Sequence, residues 1–180
     1  SGGLLYQTLS RNGVTVMFAV LPSQVRDYSI VQAAISNGSA DECSVRPEDF
    51  VFRMPDGRDL RAEPAKVVVD TLLKKAGRND VIRLVATYEI SLYGLSRFKS
   101  TSGYEQRRQA AQAALGSPKL TAAAAASAMA FVEVNLKPGE STDGAIFFPA
   151  RGRPLGGARL RVLAGGALFE FEAVRESQGP

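Results

Sequence analysis

Apolar residues follow two different periods along the chain, and the change of period divides it into three zones. In the first zone, residues 13–63, apolar and polar positions alternate, which is typical of β-strands. In the second zone, residues 64–130, apolar residues recur every three or four positions, the period of an amphipathic helix. The third zone, residues 131–175, returns to alternation. The pattern predicts strands, a helical insertion and further strands within one domain, residues 1–180.

The first zone predicts short strands joined by turns. Alternation identifies strands at Val14–Val20, Tyr28–Ile35, Asp49–Arg53 and Arg58–Ala62. Asn37-Gly38 and Pro55-Asp56-Gly57 predict turns, because Pro presets φ and Gly permits a positive φ. The last two strands should therefore form a hairpin.

The insertion begins with a helix whose two ends are readable. Pro64 suits the first helical position, an apolar stripe runs from Ala65 to Ala76, and Gly77 follows as a stop. Asn79 is a good N-cap for a second segment. This segment is rich in β-branched residues, which favour strands, so the sequence does not decide whether residues 79–93 form a helix or a strand.

Two more helices are predicted in the insertion. Ser102 and Glu105 form a capping box for the third helix. Ser117-Pro118 begins the fourth, whose run Ala122–Ala126 has the highest helix propensity available. Small side chains let a helix approach its neighbour closely, so this run is interpreted as a packing surface.

The third zone contains a hairpin about Gly165-Gly166, a two-residue turn. Folding there pairs two polar positions on one side and two apolar positions on the other: Arg161 with Glu170, Arg159 with Glu172, Val162 with Phe169 and Leu160 with Phe171. Both faces agree on one register, because a slip by one residue would expose both phenylalanines. Short strands with a turn signal every ~8–12 residues predict an immunoglobulin-like antiparallel β-sandwich of about seven or eight strands. The helical insertion should cap one end of it or cover one edge.

Composition excludes several kinds of chemistry. The 180 residues contain no histidine, and Cys43 is the only cysteine. This removes Ser-His-Asp and Cys-His catalysis, zinc sites built on His or Cys, and internal disulfides. Cys43 follows Asp41-Glu42, whose carboxylates disfavour a thiolate, so an inert thiol is expected. No apolar run reaches the ~18 residues of a membrane span.

The charge pattern argues against nucleic-acid binding. Lys plus Arg number 22 and Asp plus Glu 18, a net charge of +4. The basic residues are spread along the chain with acidic residues among them, which is typical of a solvated surface. No specific nucleic-acid partner is therefore expected.

Candidate ligand sites each have a simpler structural explanation. Asp56, Asp59 and Glu63 could converge on calcium, but the spacing of a calcium loop is absent and a plain turn is favoured. The loop Arg151–Gly157 could hold an anion on its backbone N–H groups, although a hairpin connection is favoured. Glu170 and Glu172 share a strand face, where cross-strand arginines explain them. No catalytic residue, metal or cofactor is predicted.

Aromatic and basic residues alternate in the insertion, and this is the most functional-looking pattern in the chain. The predicted partner-binding residues are Tyr93, Arg97, Phe98, Lys99, Tyr104, Arg107 and Arg108. An ordinary solvated helix face remains the alternative interpretation, since long basic side chains often cover apolar surface.

The strand zones resemble bacterial extracytoplasmic immunoglobulin-like domains, including the telokin-like kind. The resemblance lies in Tyr28–Ile35 followed by Asn37, in Pro47–Phe52 with Pro55-Asp56-Gly57, and in Leu136–Glu140 followed by Gly144–Phe148. The chain departs from antibody domains, since it has no tryptophan and no cysteine pair. The resemblance implies an envelope or secreted location and a binding or structural role, and it transfers no catalytic residue.

The function expected from these observations is a non-enzymatic cell-envelope or secreted interaction module whose partner is another protein. The alternative is a small-ligand binder that uses a groove between the insertion and the sandwich. Ser1-Gly2-Gly3 is consistent with a removed signal peptide. The identity of the partner and the oligomeric state are open.

Overall fold

The computed structural model describes residues 4–80, 82–83 and 118–176. In these ranges the chain forms ten strands, two helices whose bounds are described in full, and a further helical segment at residues 78–80 and 82–83. The strands are β1 (Gln7–Arg11), β2 (Val14–Val25), β3 (Tyr28–Asn37), β4 (Cys43–Val45), β5 (Phe50–Arg53), β6 (Asp59–Arg61), β7 (Val134–Leu136), β8 (Ser141–Phe148), β9 (Arg159–Ala164) and β10 (Ala167–Ala173). The helices are α1 (Ala65–Lys75) and α2 (Pro118–Met129), and a 3-10 turn (Pro47–Asp49) precedes β5.

The strands form two four-stranded antiparallel sheets and one small pair. The first sheet has the order β1-β2-β3-β8, the second has the order β10-β9-β5-β6, and β4 pairs with β7. The edge strands β1 and β10 contact each other, and the sheets curl into a half-barrel. The prediction of a mainly β chain with antiparallel sheets is confirmed at this level.

Phenylalanine rings fill the space between the two sheets. Phe18 of the first sheet meets Phe171 of the second edge-on, with ring centroids 4.8 Å apart. Phe52 and Phe148 pack similarly, 4.7 Å apart. Alternate positions of each strand supply these rings, as the period of two predicts. This core joins the two sheets.

Strand β3 is buried on both of its faces. Val31 and Ile35 point into the core between the sheets, whereas Ile30 points into a second core under the helices. A strand with one solvated face would alternate buried and exposed residues, but β3 has buried residues on both faces along almost its whole length. The helices are the cause, since they cover the face that water would otherwise reach.

The helices cover a face of the first sheet, which corrects the expectation that they cap an end or cover an edge. Val68 and Leu72 of α1 and Ala126 of α2 share one core with Ile30 and Phe147 of the sheet. This face of the first sheet carries large apolar side chains, such as Ile30 and Phe147, which the helices remove from water. The alanine run predicted as a packing surface does pack here, in helix α2.

The second helical segment begins earlier than predicted. Residues 78–80 are already helical, so Asn79 is not the N-cap. Asp80 instead accepts a hydrogen bond from the backbone N–H of Gly77 at 2.8 Å, which stabilises this helix start from inside. Residues 82–83 are helical as well. The rest of the 79–93 segment and the third predicted helix lie outside the described residues.

The hairpin register is confirmed near the turn and wrong beyond it. Glu170 pairs with Arg161 and Phe169 with Val162, as predicted. The register then shifts, so that Arg159 faces Ala173 instead of Glu172. The shifted alignment continues past the strand, where Val174 N–H donates to the Ala158 carbonyl at 2.8 Å. A bulge in β10 accounts for the difference, because it inserts an extra residue into one strand only.

Other boundaries differ by a few residues. The turn at Asn37-Gly38 begins one residue later, because Asn37 ends β3 and its buried amide donates to the Leu136 carbonyl at 2.9 Å. The strand expected from residue 131 begins at Val134. No helix among the described residues is both long and apolar enough to cross a membrane.

Phe169→Ala should lower the free energy of unfolding by about 3–5 kcal/mol, because the ring is fully buried between the sheets. Leu163→Ala is the matched control on the neighbouring strand, where the side chain is 53% exposed and the loss should be about 0.5 kcal/mol or less. Urea denaturation measures both. Equal losses in the two variants would contradict the assignment of the faces.

Gly144→Ala should destabilise the chain by about 1–3 kcal/mol, because a Cβ there would lie 2.6 Å from the backbone of Phe131. Gly77→Ala is the control, since its Cβ would meet only the Asp80 carboxylate at 4.0 Å. Thermal unfolding of the two variants tests whether the end of the insertion lies against β8. A harmless Gly144→Ala would contradict that contact.

Candidate functional site

The seven residues predicted to bind a partner, Tyr93, Arg97, Phe98, Lys99, Tyr104, Arg107 and Arg108, lie outside the described residues. That prediction therefore stays a prediction. The flanks of the segment are described, and both are anchored. Helix α1 before it and helix α2 after it contact each other and pack on the first sheet.

Two adjoining grooves lie where β2 passes the end of β10. Their volumes are about 550 and 510 Å³, and Val20, Pro22, Val174 and Arg175 line both of them. The first groove continues past Leu155 and the second past the residues before β1. Arg175 is the charged side chain common to both grooves, so it lies where they join.

A break in strand pairing creates the grooves. The register between β2 and β3 shifts between Val20 and Gln24, and the pairing of β1 with β2 ends at Phe18. Pro22 lies inside this break, and proline has no N–H to donate to a neighbouring strand. The grooves thus lie between strand edges. Among the described residues of the insertion, 64–80, 82–83 and 118–130, none lines them, whereas the sequence predicted a groove between insertion and sheet.

Tyr28 and Glu63 form a short polar contact at the border between the first sheet and α1. The Tyr28 hydroxyl donates to Glu63 Oε2 at 2.6 Å, and the Glu63 backbone N–H donates to the Phe147 carbonyl at 2.9 Å. Burial, together with the hydrogen bond to Glu63, raises the pKa of Tyr28 to about 12. The pair ties the start of the insertion to β3 and β8.

The three carboxylates considered for calcium do not converge. Asp56 pairs with Arg58, Asp59 pairs with Arg53, and Glu63 accepts the hydrogen bond from Tyr28. In residues 4–80, 82–83 and 118–176, no three metal-binding side chains are grouped where they could hold an ion. Each of the three carboxylates thus has a different protein partner in the structure.

Arg26 ties the β2–β3 turn to the helical layer. Its Nη1 donates to the Lys75 carbonyl at 2.9 Å and lies 3.2 Å from Asp80 Oδ2. Asp80 holds the next helix start at the same time, through Gly77. Arg26 has a φ of 51°, a left-handed backbone conformation that non-glycine residues adopt infrequently. The contact is structural, and sequence reasoning missed it because its partners are far apart in the chain.

The loop Arg151–Gly157 uses much of its backbone internally. Arg151 N–H donates to the Asp27 carbonyl, Arg153 N–H to Ala150 and Gly157 N–H to Val174. An anion cradle needs several free N–H groups that point into one concavity. The loop therefore connects β8 of the first sheet to β9 of the second, and the hairpin connection favoured from the sequence is wrong because these two strands do not pair.

Cys43 is buried, and burial raises the pKa of its thiol. The charge of Asp49 raises this pKa further, whereas a hydrogen bond from the Gly165 backbone acts in the opposite direction. The expectation of disfavoured thiolate is supported in direction. Its cause differs, because burial and Asp49 replace the neighbouring Asp41-Glu42 pair.

Sequence reasoning missed a buried polar position on the helix side of the first sheet. Gln32 lies in the middle of β3 with a 1% exposed side chain, and its Oε1 has no hydrogen-bond partner among the described residues. Tyr6 directly precedes β1 of the same sheet, and burial together with the charge of Asp143 raises its pKa to about 12. The signal available in the sequence was a glutamine between the apolar residues Ile30-Val31 and Ala33-Ala34-Ile35.

No protein-family model matches the chain, and no curated protein sequence matches it. Among solved structures, the chain is similar to the yjhA protein from Bacillus subtilis, with a TM-score of 0.44 and 9% sequence identity. The similarity covers 87% of this chain and 77% of that one.

Raising the pH from about 10 to 12 should destabilise the chain through Tyr28. The folded state keeps the phenol protonated up to a pKa of about 12, whereas the unfolded chain releases the proton near 10, so the stabilisation present below pH 10 disappears as pH rises through this window. Tyr28→Phe should reduce the loss by up to about 1.4 kcal/mol per pH unit. Urea denaturation across this range, compared between parent and variant, measures it. Identical slopes would contradict the assignment.

Proposed function

We propose that the chain is a non-enzymatic interaction module of the cell envelope or of secreted proteins, with an immunoglobulin-like β-sandwich as its scaffold and another protein as its partner. Strand order supports the scaffold. In that fold, strand B pairs with E in one sheet, and F lies between G and C in the other. The pairing of β3 with β8, and the position of β9 between β10 and β5, fit this order.

The helical insertion also has a natural place in such a scaffold. It enters after β6 and returns before β8, which is where a D strand would otherwise follow C and precede E. A connection at this point can vary while the sheets keep their register. The envelope or secreted location rests on the sequence resemblance.

The observation that carries the proposed function is the anchoring of the insertion. Helices α1 and α2 contact each other, and their apolar side chains share one core with β3 and β8. Ion pairing of Arg26 with Asp80, and the hydrogen bond from Tyr28 to Glu63, add polar ties at its beginning. A segment attached at both ends to a rigid sheet is a suitable platform for contact residues, here residues 93–108.

Small-ligand binding is the second candidate, and the two grooves favour it. Their volumes of about 550 and 510 Å³ lie within the ~300–1,000 Å³ of known ligand sites. Gln24, Arg175 and Glu176 supply polar groups beside the apolar Val20 and Leu155. Such a ligand would be held between strand edges.

Affinity capture from an envelope extract of the source organism tests the proposed function. The chain should retain a protein partner through a wash at about 1 M salt, where the Debye length falls to about 3 Å. Tyr93→Ala/Phe98→Ala/Tyr104→Ala should abolish retention. Lys74→Ala/Lys75→Ala, at exposed positions of α1, is the matched control and should retain the partner.

Other outcomes of this capture would contradict the proposal. Retention of nucleic acid or an anionic polymer at low salt only would indicate electrostatic binding to a polyanion. Absence of any saturable protein partner would favour the ligand grooves. Arg175→Glu, which changes the side chain between them, would then be the variant to compare in ligand binding.

A further inference from the structure

The outer face of the second sheet carries an arrangement of arginines that folding does not require. Arg53 of β5 lies directly opposite Arg159 of β9, and Asp59 of β6 lies on the other side of Arg53. In the next row, Val51 separates Arg161 of β9 from Arg61 of β6. Like charges directly opposite each other destabilise a sheet. The Arg53–Arg159 pair is therefore a feature that stability alone does not explain.

Only two of the four arginines are neutralised on this face. Arg53 forms a short ion pair with Asp59, and Arg161 lies 3.5 Å from Glu170. Arg159 and Arg61 form no ion pair among the described residues. Within the described ranges, Arg159 lacks an ion pair because of the bulge in β10. The register shift places Ala173 opposite Arg159, where Glu172 would lie without the bulge.

Exposed apolar side chains continue the same face toward the hairpin turn. Leu163 of β9 and Leu168 of β10 are register partners, with exposures of 53% and 40%. Val51, between two arginines, is half-buried. Large apolar side chains next to arginines are the composition typical of protein–protein interfaces, in which arginine is enriched.

A mixed-charge protein fits this face better than a uniform polyanion. Asp59 and Glu170 would repel a continuous array of phosphates or sulfates, whereas a protein surface can place cations beside them. The leucine pair would also gain nothing from contact with a phosphate backbone. Arg61 does donate a long hydrogen bond to the Glu48 carbonyl, at 3.5 Å, but that acceptor carries no charge. The exposed leucines and the two arginines without a carboxylate partner thus point to the same class of partner.

We propose that the outer face of the second sheet is a second docking surface, for a net acidic protein. Its carboxylates would pair with Arg159 and Arg61, and its apolar side chains would cover Leu163 and Leu168. Strand spacing and rise place the Cα atoms of Arg159 and Arg61 roughly 12 Å apart, which sets the separation of the partner's carboxylates. Helices α1 and α2 lie on the opposite side of the core, against the first sheet, so they do not cover this face.

Titration with a defined probe, followed by amide NMR of the labelled chain, tests the proposal. The probe is a short peptide that alternates Glu and Leu, compared with the peptide that alternates Gln and Leu and with inorganic polyphosphate. The Glu-Leu peptide should shift amides of β5, β6, β9 and β10. Arg61→Gln/Arg159→Gln should weaken its binding about tenfold, and Leu163→Ser/Leu168→Ser should weaken it by about threefold or more. Lys74→Gln/Lys75→Gln is the control and should leave the Kd unchanged.

Three results would overturn the proposal: no shift on this face, equal binding of the Gln-Leu peptide, or polyphosphate binding as tight as that of the Glu-Leu peptide and unaffected by the leucine variants. All substituted side chains lie at the surface, and unchanged thermal unfolding verifies that the variants fold. Tyr93→Ala/Phe98→Ala/Tyr104→Ala, which tests the insertion, should leave this Kd unchanged. Failure at the arginine face and failure at the insertion can therefore be told apart.

Discussion

Strand β3 and its pairing with β8 are the constraint on which the rest of the structure depends. The two strands pair from Ser29–Phe148 to Ser36–Ser141, and both are buried on the two faces. One face closes the phenylalanine core against the second sheet, and the other carries the helices. Neither layer can pack without this pair, because each buries its apolar side chains against it. The outer edge of β8 is covered in turn by backbone contacts from Glu63 and Phe131.

This layered arrangement gives the molecule two different outer surfaces. The helices form one, and their connection holds the residues proposed to bind a partner. The second sheet forms the other, where Arg159 and Arg61 stand without carboxylate partners in the part of the chain that the structure describes. The grooves lie at a third place, where pairing breaks between β2 and its neighbours. The candidate surfaces therefore lie at the two outer layers of the molecule and at the edge where the pairing of β2 is interrupted.

Sequence reasoning succeeded where the deciding contacts are local. The hairpin about Gly165-Gly166 was readable because two faces and one turn required the same register, and helix α1 was readable from its apolar stripe. The candidate site was far less predictable. Arg26 binds Lys75 and Asp80 across a long stretch of chain. The ligand-sized grooves depend on the break in pairing between β2 and its two neighbouring strands, which the hydrophobic pattern does not show. For Cys43, the sequence suggested that Asp41 and Glu42 disfavour the thiolate, whereas in the structure burial and the charge of Asp49 raise the pKa of the thiol.

By itself, the sequence determined the kind of most described elements, though not of β1 and β4, several of the turns and the absence of histidine chemistry. Hydrophobic period, turn residues and composition are properties of short stretches of chain, so they can be read without knowing the fold. Only the tertiary structure decided that the helices cover a face of the first sheet, because α1 and α2 meet β3 and β8 through contacts between distant residues. It also decided that Arg159 lies opposite Ala173. The shifted register continues beyond the strand, where the Val174 N–H donates to the Ala158 carbonyl in the loop before β9. The local pattern was compatible with several placements of the helices and with more than one hairpin register. Packing between segments far apart in the chain determined which of them forms.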